Sequence, residues 1–282
     1  MKKLFLSVAV ALMFLITGCT SSAESSAGPI KKDIDPNKVV IIKDSELEKI
    51  IREELDIPEV DILAVDMEEI EMININYKDN PVYELDGLEY AVNLNNFSFR
   101  NGGELKSLDP ISSLENLEYL GMSYSTLEIM PSEFNAPGLE RISFADTNIS
   151  SYDFLKKSTN MTDIYISSSE VKSLEFITNM NKLEGLSVEY NAVSDITPVK
   201  NKNKLTAINL HMNKVTDVSA LATCDNLAFI NISYNKINNI EYLYNLENLS
   251  MLTAYESIGE DIIPKTQIYT LEGSGVDVLY HR

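Results

Sequence analysis

From residue 117 onward, apolar residues return along the chain on a fixed spacing. The segment from Leu205 to Asn226 reads LTAINLHMNKVTDVSALATCDN, and the next, from Leu227 to Asn248, reads LAFINISYNKINNIEYLYNLEN. Leu205, Ile208, Leu210, Val215, Val218 and Leu221 in the first match Leu227, Ile230, Ile232, Ile237, Ile240 and Leu243 in the second. An asparagine, Asn213 or Asn235, stands between the second and third groups of each. The starting residues 205 and 227 set a period of 22. The register runs back through Leu183, Met161, Leu139 and Leu117 and forward to Leu249 without insertion or deletion. Leu94 opens a unit one residue longer, and Ile70, Ile73, Ile75, Val82, Leu85 and Leu88 form a unit two residues longer.

A period of this kind decides the architecture, because a unit that cannot bury its own apolar face must stack on its neighbours. The pattern L-x-x-L-x-L-x-x-N-x-I is that of a leucine-rich repeat. It predicts an α/β-type solenoid, a horseshoe with a parallel β-sheet on the concave face. In each unit a short strand, such as the one around Ile208 to Leu210, points two apolar side chains inward. The chain then bends, with the asparagine amide bonding the backbone of the bend, and a return segment supplies three more apolar residues. Twenty-two residues leave little room for a full return helix, so turns and 3₁₀ pieces are expected on the convex face. Asp195 and Asp217 recur one unit apart, and that periodicity predicts backbone caps rather than a metal site.

Outside the repeats the pattern changes. Lys2 and Lys3 precede an apolar run from Leu4 to Ile16, too short to span a bilayer comfortably but fitting the core of a signal peptide. The run ends in Ile16-Thr17-Gly18-Cys19, which resembles the lipobox of bacterial lipoproteins. The resemblance implies removal of residues 1–18 and a diacylglycerol on the Cys19 sulfur, the alternative being an ordinary secretory signal with a chance cysteine. Residues 19–37 would then be the lipidated cysteine and a Ser-, Ala-, Gly- and Pro-containing tether. Residues 38–69 are expected to form an N-terminal cap. In it Val39 to Ile42 is strand-like, Ser45 and Glu48 form a capping box, and Leu47, Ile50, Ile51 and Leu55 lie on one helical face that stops before Pro58. Repeats occupy 70–257, and 258–282 closes the solenoid, ending in a strand around Gly275 to Tyr280.

The stretch from Leu85 to Leu94, LDGLEYAVNL, resembles the L-x-G-L-E-Y-A-x-N-L motif of internalin-type bacterial leucine-rich repeat domains. Thr216 to Leu221 and Ser194 to Val199 resemble the S-D-I-x-P-L return segments of the same family. The resemblance covers about residues 38–282 and implies a cell-surface binding protein. Ser125, Thr147 and Ser169 depart from it, standing where the asparagine belongs. There is no LPxTG wall-sorting motif, so the lipid on Cys19 would be the anchor, on the outer face of a bacterial membrane.

Charge narrows the partners. The chain carries a formal net charge of −20, which argues against nucleic acid and anionic lipid faces and suits solubility or a basic partner. Its two cysteines are Cys19 and Cys224. With Cys19 lipidated no internal disulfide is possible, and Cys224 reads as a small buried apolar residue. The two histidines, His211 and His281, form no spacing typical of a metal site, and no nucleophile, phosphate-loop or zinc-protease motif is present. No enzymatic activity, cofactor or metal is therefore expected. The Asn-x-Ser/Thr sequons at Asn148, Asn160, Asn231 and Asn248 follow from the repeat.

What remains is surface. With the leading residue of each unit as position 1, strand positions 3, 5 and 7, and 8 at the rim, face the concave side. Tyr190, Met212 and Tyr234 occupy position 8 of three consecutive units, and His211 falls on the same face. Tyr119, Tyr124, Tyr165, Phe229, Met251 and Tyr255 fall on the same face. Clustered exposed aromatic and methionine side chains mark a protein-binding patch, and Glu189 and Asp163 beside them favour a basic or amide-rich ligand. The expected function is binding of an envelope, secreted or host protein through this face. Association with glycan or peptidoglycan is the alternative, since stacked tyrosines also bind sugar rings.

Overall fold

The computed structural model describes residues 34–76, 81–100, 103–256 and 263–280. The expected leader, Cys19 and tether residues 20–33 lie outside the described residues, as does His281. The strands are β1 (Met72–Asn76), β2 (Asn96–Arg100), β3 (Glu104–Leu105), β4 (Tyr119–Leu127), β5 (Arg141–Thr147) and β6 (Asp163–Ser167), then β7 (Gly185–Ser187), β8 (Ala207–Asn209), β9 (Phe229–Asn231), β10 (Met251–Thr253) and β11 (Asp277–Leu279). Ten of them follow one another as a single parallel sheet in chain order, and β3 pairs with β4 off that path. Corresponding positions stand side by side, as with Ile208 against Leu186 and Ile230. The fold is thus the leucine-rich repeat solenoid that the period predicts.

Positions 4 and 6 point inward in every unit, and Leu120, Ile164, Leu186, Leu210 and Ile232 are all buried. The return segments contain 3₁₀ turns, among them Asp153–Leu155, Glu175–Ile177, Thr197–Val199, Ser219–Thr223 and Glu241–Leu243. Each of these is capped two residues upstream. Asp195 and Asp217 accept from the N–H groups of Thr197 and Ser219 at 2.8 Å, and Ser151, Ser173 and Asn239 do the same for their own turns. The recurring carboxylates are therefore backbone caps, and among the described residues no three His, Cys, Asp or Glu side chains gather to hold a metal. Residues 128–138 form no such turn, and there Ile129 and Met130 are exposed. In that unit Phe134, with its N–H on the Phe154 carbonyl, fills the core instead.

Asparagine forms two ladders. At position 9 the Asn213 amide donates to the carbonyls of Val188, Leu210 and His211 and its oxygen accepts from Val193 N–H. Asn235 repeats the arrangement one unit on. Where Ser125 and Ser169 replace asparagine, each hydroxyl donates to the carbonyl two residues earlier. A second ladder, at the end of the units, has Asn160, Asn226 and Asn248 donating to the carbonyls of Pro137, Asn203 and Asp225. Two of these asparagines are sequon residues, each occupied in structure.

The ends differ from the sequence expectation in three places. Helix α1 (Ser45–Leu55) is capped by Asp44, whose Oδ1 accepts from Glu46 and Leu47 N–H, and not by a Ser45–Glu48 box. The other oxygen of Asp44 takes the Tyr83 N–H at 2.7 Å, tying the cap to the first repeat; a carboxylate reaches both ends of that bridge and a serine hydroxyl does not. The run Val39 to Ile42 forms one antiparallel bridge, Val39 to Leu63, ahead of the short α2 (Ala64–Met67), and no strand. The closing segment contains a helix, α3 (Lys265–Gly273), before β11, where only a strand was expected.

Position 20 is apolar at Met180, Cys224 and Leu246, all buried. Cys224 is a buried thiol donating to the Val199 carbonyl. Lys202 occupies the same position at 2 % exposure, its ammonium on the Thr178 carbonyl. Burial holds its pKa below the usual lysine value. Desolvating the ammonium opposes folding, and Thr178, exposed, can give its carbonyl to water. Lys202→Met is accordingly expected to raise Tm by roughly 2–4 °C in a thermal melt at pH 7; an equal or lower Tm would show that the ammonium is a net tie.

Candidate functional site

The bend after each strand determines what the concave face displays. Strand alternation would send position 8 inward behind position 6. Tyr124, Asp146, Ser168, Tyr190, Met212, Tyr234 and Glu256, all at position 8, instead adopt φ between 50 and 57°. This left-handed residue ends the alternation, so that position 8 stays on the solvent side beside position 7, where Glu189 and His211 are part-exposed and Ser167 and Ser233 are covered, and position 9 dives inward as the ladder. The parallel ladder continues across the bend and holds it, with Tyr190 N–H on the His211 carbonyl, Met212 on Ser233 and Tyr234 on Tyr255.

Two adjacent outward positions let rings from neighbouring units interleave. The His211 ring lies 5.0 Å from Tyr190 and 5.2 Å from Tyr234, edge to face with both. The ring between the tyrosines is therefore His211 from position 7, while Met212 at position 8 stands exposed. Tyr190 is 49 % exposed and Tyr234 42 %. Beneath them, the Glu189 carboxylate accepts from the Tyr165 hydroxyl and the Asn209 amide, each at 2.9 Å. Phe229 and Met251 form a separate apolar row at position 3, paired in register, roughly 13 Å along the strands from position 7. Tyr255 is half-buried, its N–H bonded to the Ser233 hydroxyl.

The remaining candidates lie apart from this group. The Tyr119 ring lies across Gly121, where a Cβ would meet its hydroxyl at 2.7 Å, and Arg141 stands 6.0 Å from the same ring. Tyr124 is exposed on β4. Asp163 accepts from the Thr162 hydroxyl beside it. Of the ten candidate surface residues, the structure brings Tyr165, Tyr190, His211 and Tyr234 into one connected group. It adds Glu189 and Asn209 as the polar links, a role that periodicity does not show because the residue at both positions varies from unit to unit.

Burial is the larger influence on His211 and lowers its pKa from 6.5, with Glu189 acting against it. As pH falls, the unfolded chain takes up this proton before the folded one, so the residue withdraws stability below the ordinary histidine range. His211→Gln is expected to flatten the loss of stability between about pH 7 and about pH 5, read as urea midpoints. An unchanged profile would place that acid sensitivity elsewhere.

No family model matches the chain, and no curated protein matches it. Solved structures do. Internalin C2 of Listeria monocytogenes superposes with a TM-score of 0.67 at 22 % identity, over 75 % of this chain and 93 % of that one. A leucine-rich repeat protein of Leptospira interrogans gives 0.63 at 15 %, over 76 % and 62 %. Listeria monocytogenes InlP gives 0.59 at 17 %, over 75 % and 64 %. At these identities the likeness establishes the leucine-rich repeat fold.

Proposed function

We propose that the chain is a cell-surface lipoprotein, anchored to the outer face of a bacterial membrane through lipid on Cys19, whose leucine-rich repeat domain binds another protein through its concave face. The observation that carries the reading is the interleaved, contiguous row of exposed Tyr190, half-buried His211 and exposed Tyr234 on the sheet. Tyrosine at a left-handed position supports it. Glycine or asparagine would hold that backbone with less strain, so tyrosine in three units there is a side chain kept for its surface. Exposed aromatic anchors supply most of the binding energy in protein interfaces. The glycan reading is supported by one feature, the amide and carboxylate of Asn209 and Glu189 beside the rings, which resembles a sugar-hydroxyl clamp.

The test is crosslinking capture on intact cells and on host-cell lysate, comparing the wild type with Tyr190→Ser combined with Tyr234→Ser. A protein captured by the wild type and lost in the variant supports the concave site. Equal capture moves the binding to another face. Retention of wall fragments alone, lost in the variant, favours the glycan reading. For the anchor, Cys19→Ala is expected to release the chain from the membrane fraction, and unchanged membrane retention would refute lipidation at that residue.

A further inference from the structure

The concave strands at the C-terminal half have a one-sided chemistry. Positions 3 to 8 of the units holding β7 to β10 read GLSVEY, AINLHM, FINISY and MLTAYE, with Glu189 and Glu256 and no lysine or arginine. Several donors on this face are unused. The Asn231 oxygen takes the Ser233 N–H, but its amide NH₂ has no hydrogen-bond partner among the described residues, and neither do the hydroxyls of Tyr190 and Tyr234.

We infer that this face takes a polyproline II segment flanked by a basic residue, lying across the strands, an inference that rests on the protein-binding reading above. Shape, hydrogen bonding and charge agree on it. Tyr190 and Tyr234 are two strand spacings apart, roughly 9.6 Å. A polyproline II helix repeats every three residues over about 9.3 Å, so two prolines one triplet apart come over the two tyrosines, with His211 under the residues between. A β-strand alternates its side chains and turns residues three apart to opposite sides. An α-helix bonds its own carbonyls and would cover the free donors without satisfying them. The polyproline backbone has every carbonyl free to accept from the tyrosine hydroxyls and the Asn231 amide. Glu189, adjacent in the chain to Tyr190 and held by Tyr165 and Asn209, faces the flanking cation.

The experiment is fluorescence anisotropy on the full chain, using a fluorescein-labelled decaproline with a lysine at each end. Comparison peptides carry glutamate ends, or lysine ends around a Gly-Ser core. The lysine-ended decaproline is expected to bind saturably and at least about tenfold more tightly than either. Combining Tyr190→Ser with Tyr234→Ser should weaken it at least about tenfold, with an unchanged circular dichroism spectrum. Glu189→Gln, which keeps the acceptor to Tyr165, should remove the preference for lysine over glutamate ends. Equal binding of the Gly-Ser peptide would reduce the effect to charge and overturn the inference, as would indifference to the tyrosine pair. If crosslinking captures a protein through the tyrosines while decaproline fails to bind, the polyproline inference falls and the protein-binding reading stands. If wall fragments alone are retained and decaproline fails, both fall.

Discussion

Asn213→Ala is expected to lower the unfolding free energy by about 2–4 kcal/mol. The asparagine is buried and makes four hydrogen bonds to the backbone of its own bend and of the unit before it. The carbonyls it serves each keep a second donor: Asn191 for Val188, Asn235 for Leu210 and the Tyr190 N–H for His211. The Val193 N–H keeps none and is left in the buried segment that follows the bend. An orphaned buried donor costs more than an average hydrogen bond contributes, because its desolvation is no longer offset. Ser169→Ala loses the bond to the Ser167 carbonyl and the longer contacts with the Thr147 N–H and hydroxyl, but no amide that serves three carbonyls, and should cost about 1–2 kcal/mol. Urea denaturation of both variants checks the order, and a loss below that of Ser169→Ala would show that the bend holds itself. The consequence reaches the candidate site, since the carbonyl of His211 bonded by Asn213 also receives Tyr190 N–H. Loosening the ladder loosens the row of rings above it.

The second large effect belongs to Tyr152, for which two substitutions should act in opposite directions. Tyr152→Ala is expected to cost about 3–5 kcal/mol. The ring is fully buried and packs 5.3 Å from Phe144, 5.6 Å from Phe176 and 5.9 Å from Phe154. Tyr152→Phe is expected to leave stability equal or raise it by about 1 kcal/mol. The hydroxyl is buried with no partner of ordinary hydrogen-bond geometry among the described residues. Burial pushes its pKa well up, and Thr147 and Ser169 only temper the rise. A loss of stability in Tyr152→Phe would show that the hydroxyl is bonded after all. The same ring accounts for two of the three missing asparagines. Thr147 and Ser169 lie near its hydroxyl, where the longer side chain of an asparagine would compete for the same space.

The candidate site was legible in part. The period places Tyr190, Met212 and Tyr234 one unit apart and puts them at the rim. The period does not reveal that His211, not Met212, lies between the tyrosine rings. That depends on the left-handed φ at Tyr190, Met212 and Tyr234, a conformation carried by residues that do not advertise it as glycine would. The polar links were hidden for a different reason. Glu189 and Asn209 meet across a unit boundary, and any polar residue satisfies the pattern at either position. The cap of α1 was misread because Asp44 precedes an equally plausible Ser45, and only contact with Tyr83 from the first repeat, 39 residues away, distinguishes them.

By itself the sequence determined the repeat length, the parallel sheet, the inward residues of each unit and the absence of room for return helices. Those features follow from local spacing and from the need of every unit to bury one face against its neighbour. The tertiary structure decided the rest. It decided which rings touch, which asparagines bond, why residues 128–138 abandon the turn and why a lysine at position 20 can be buried. Each of those rests on atoms about one repeat apart in the chain but adjacent in the stack, where bond geometry and packing, not periodicity, select the outcome.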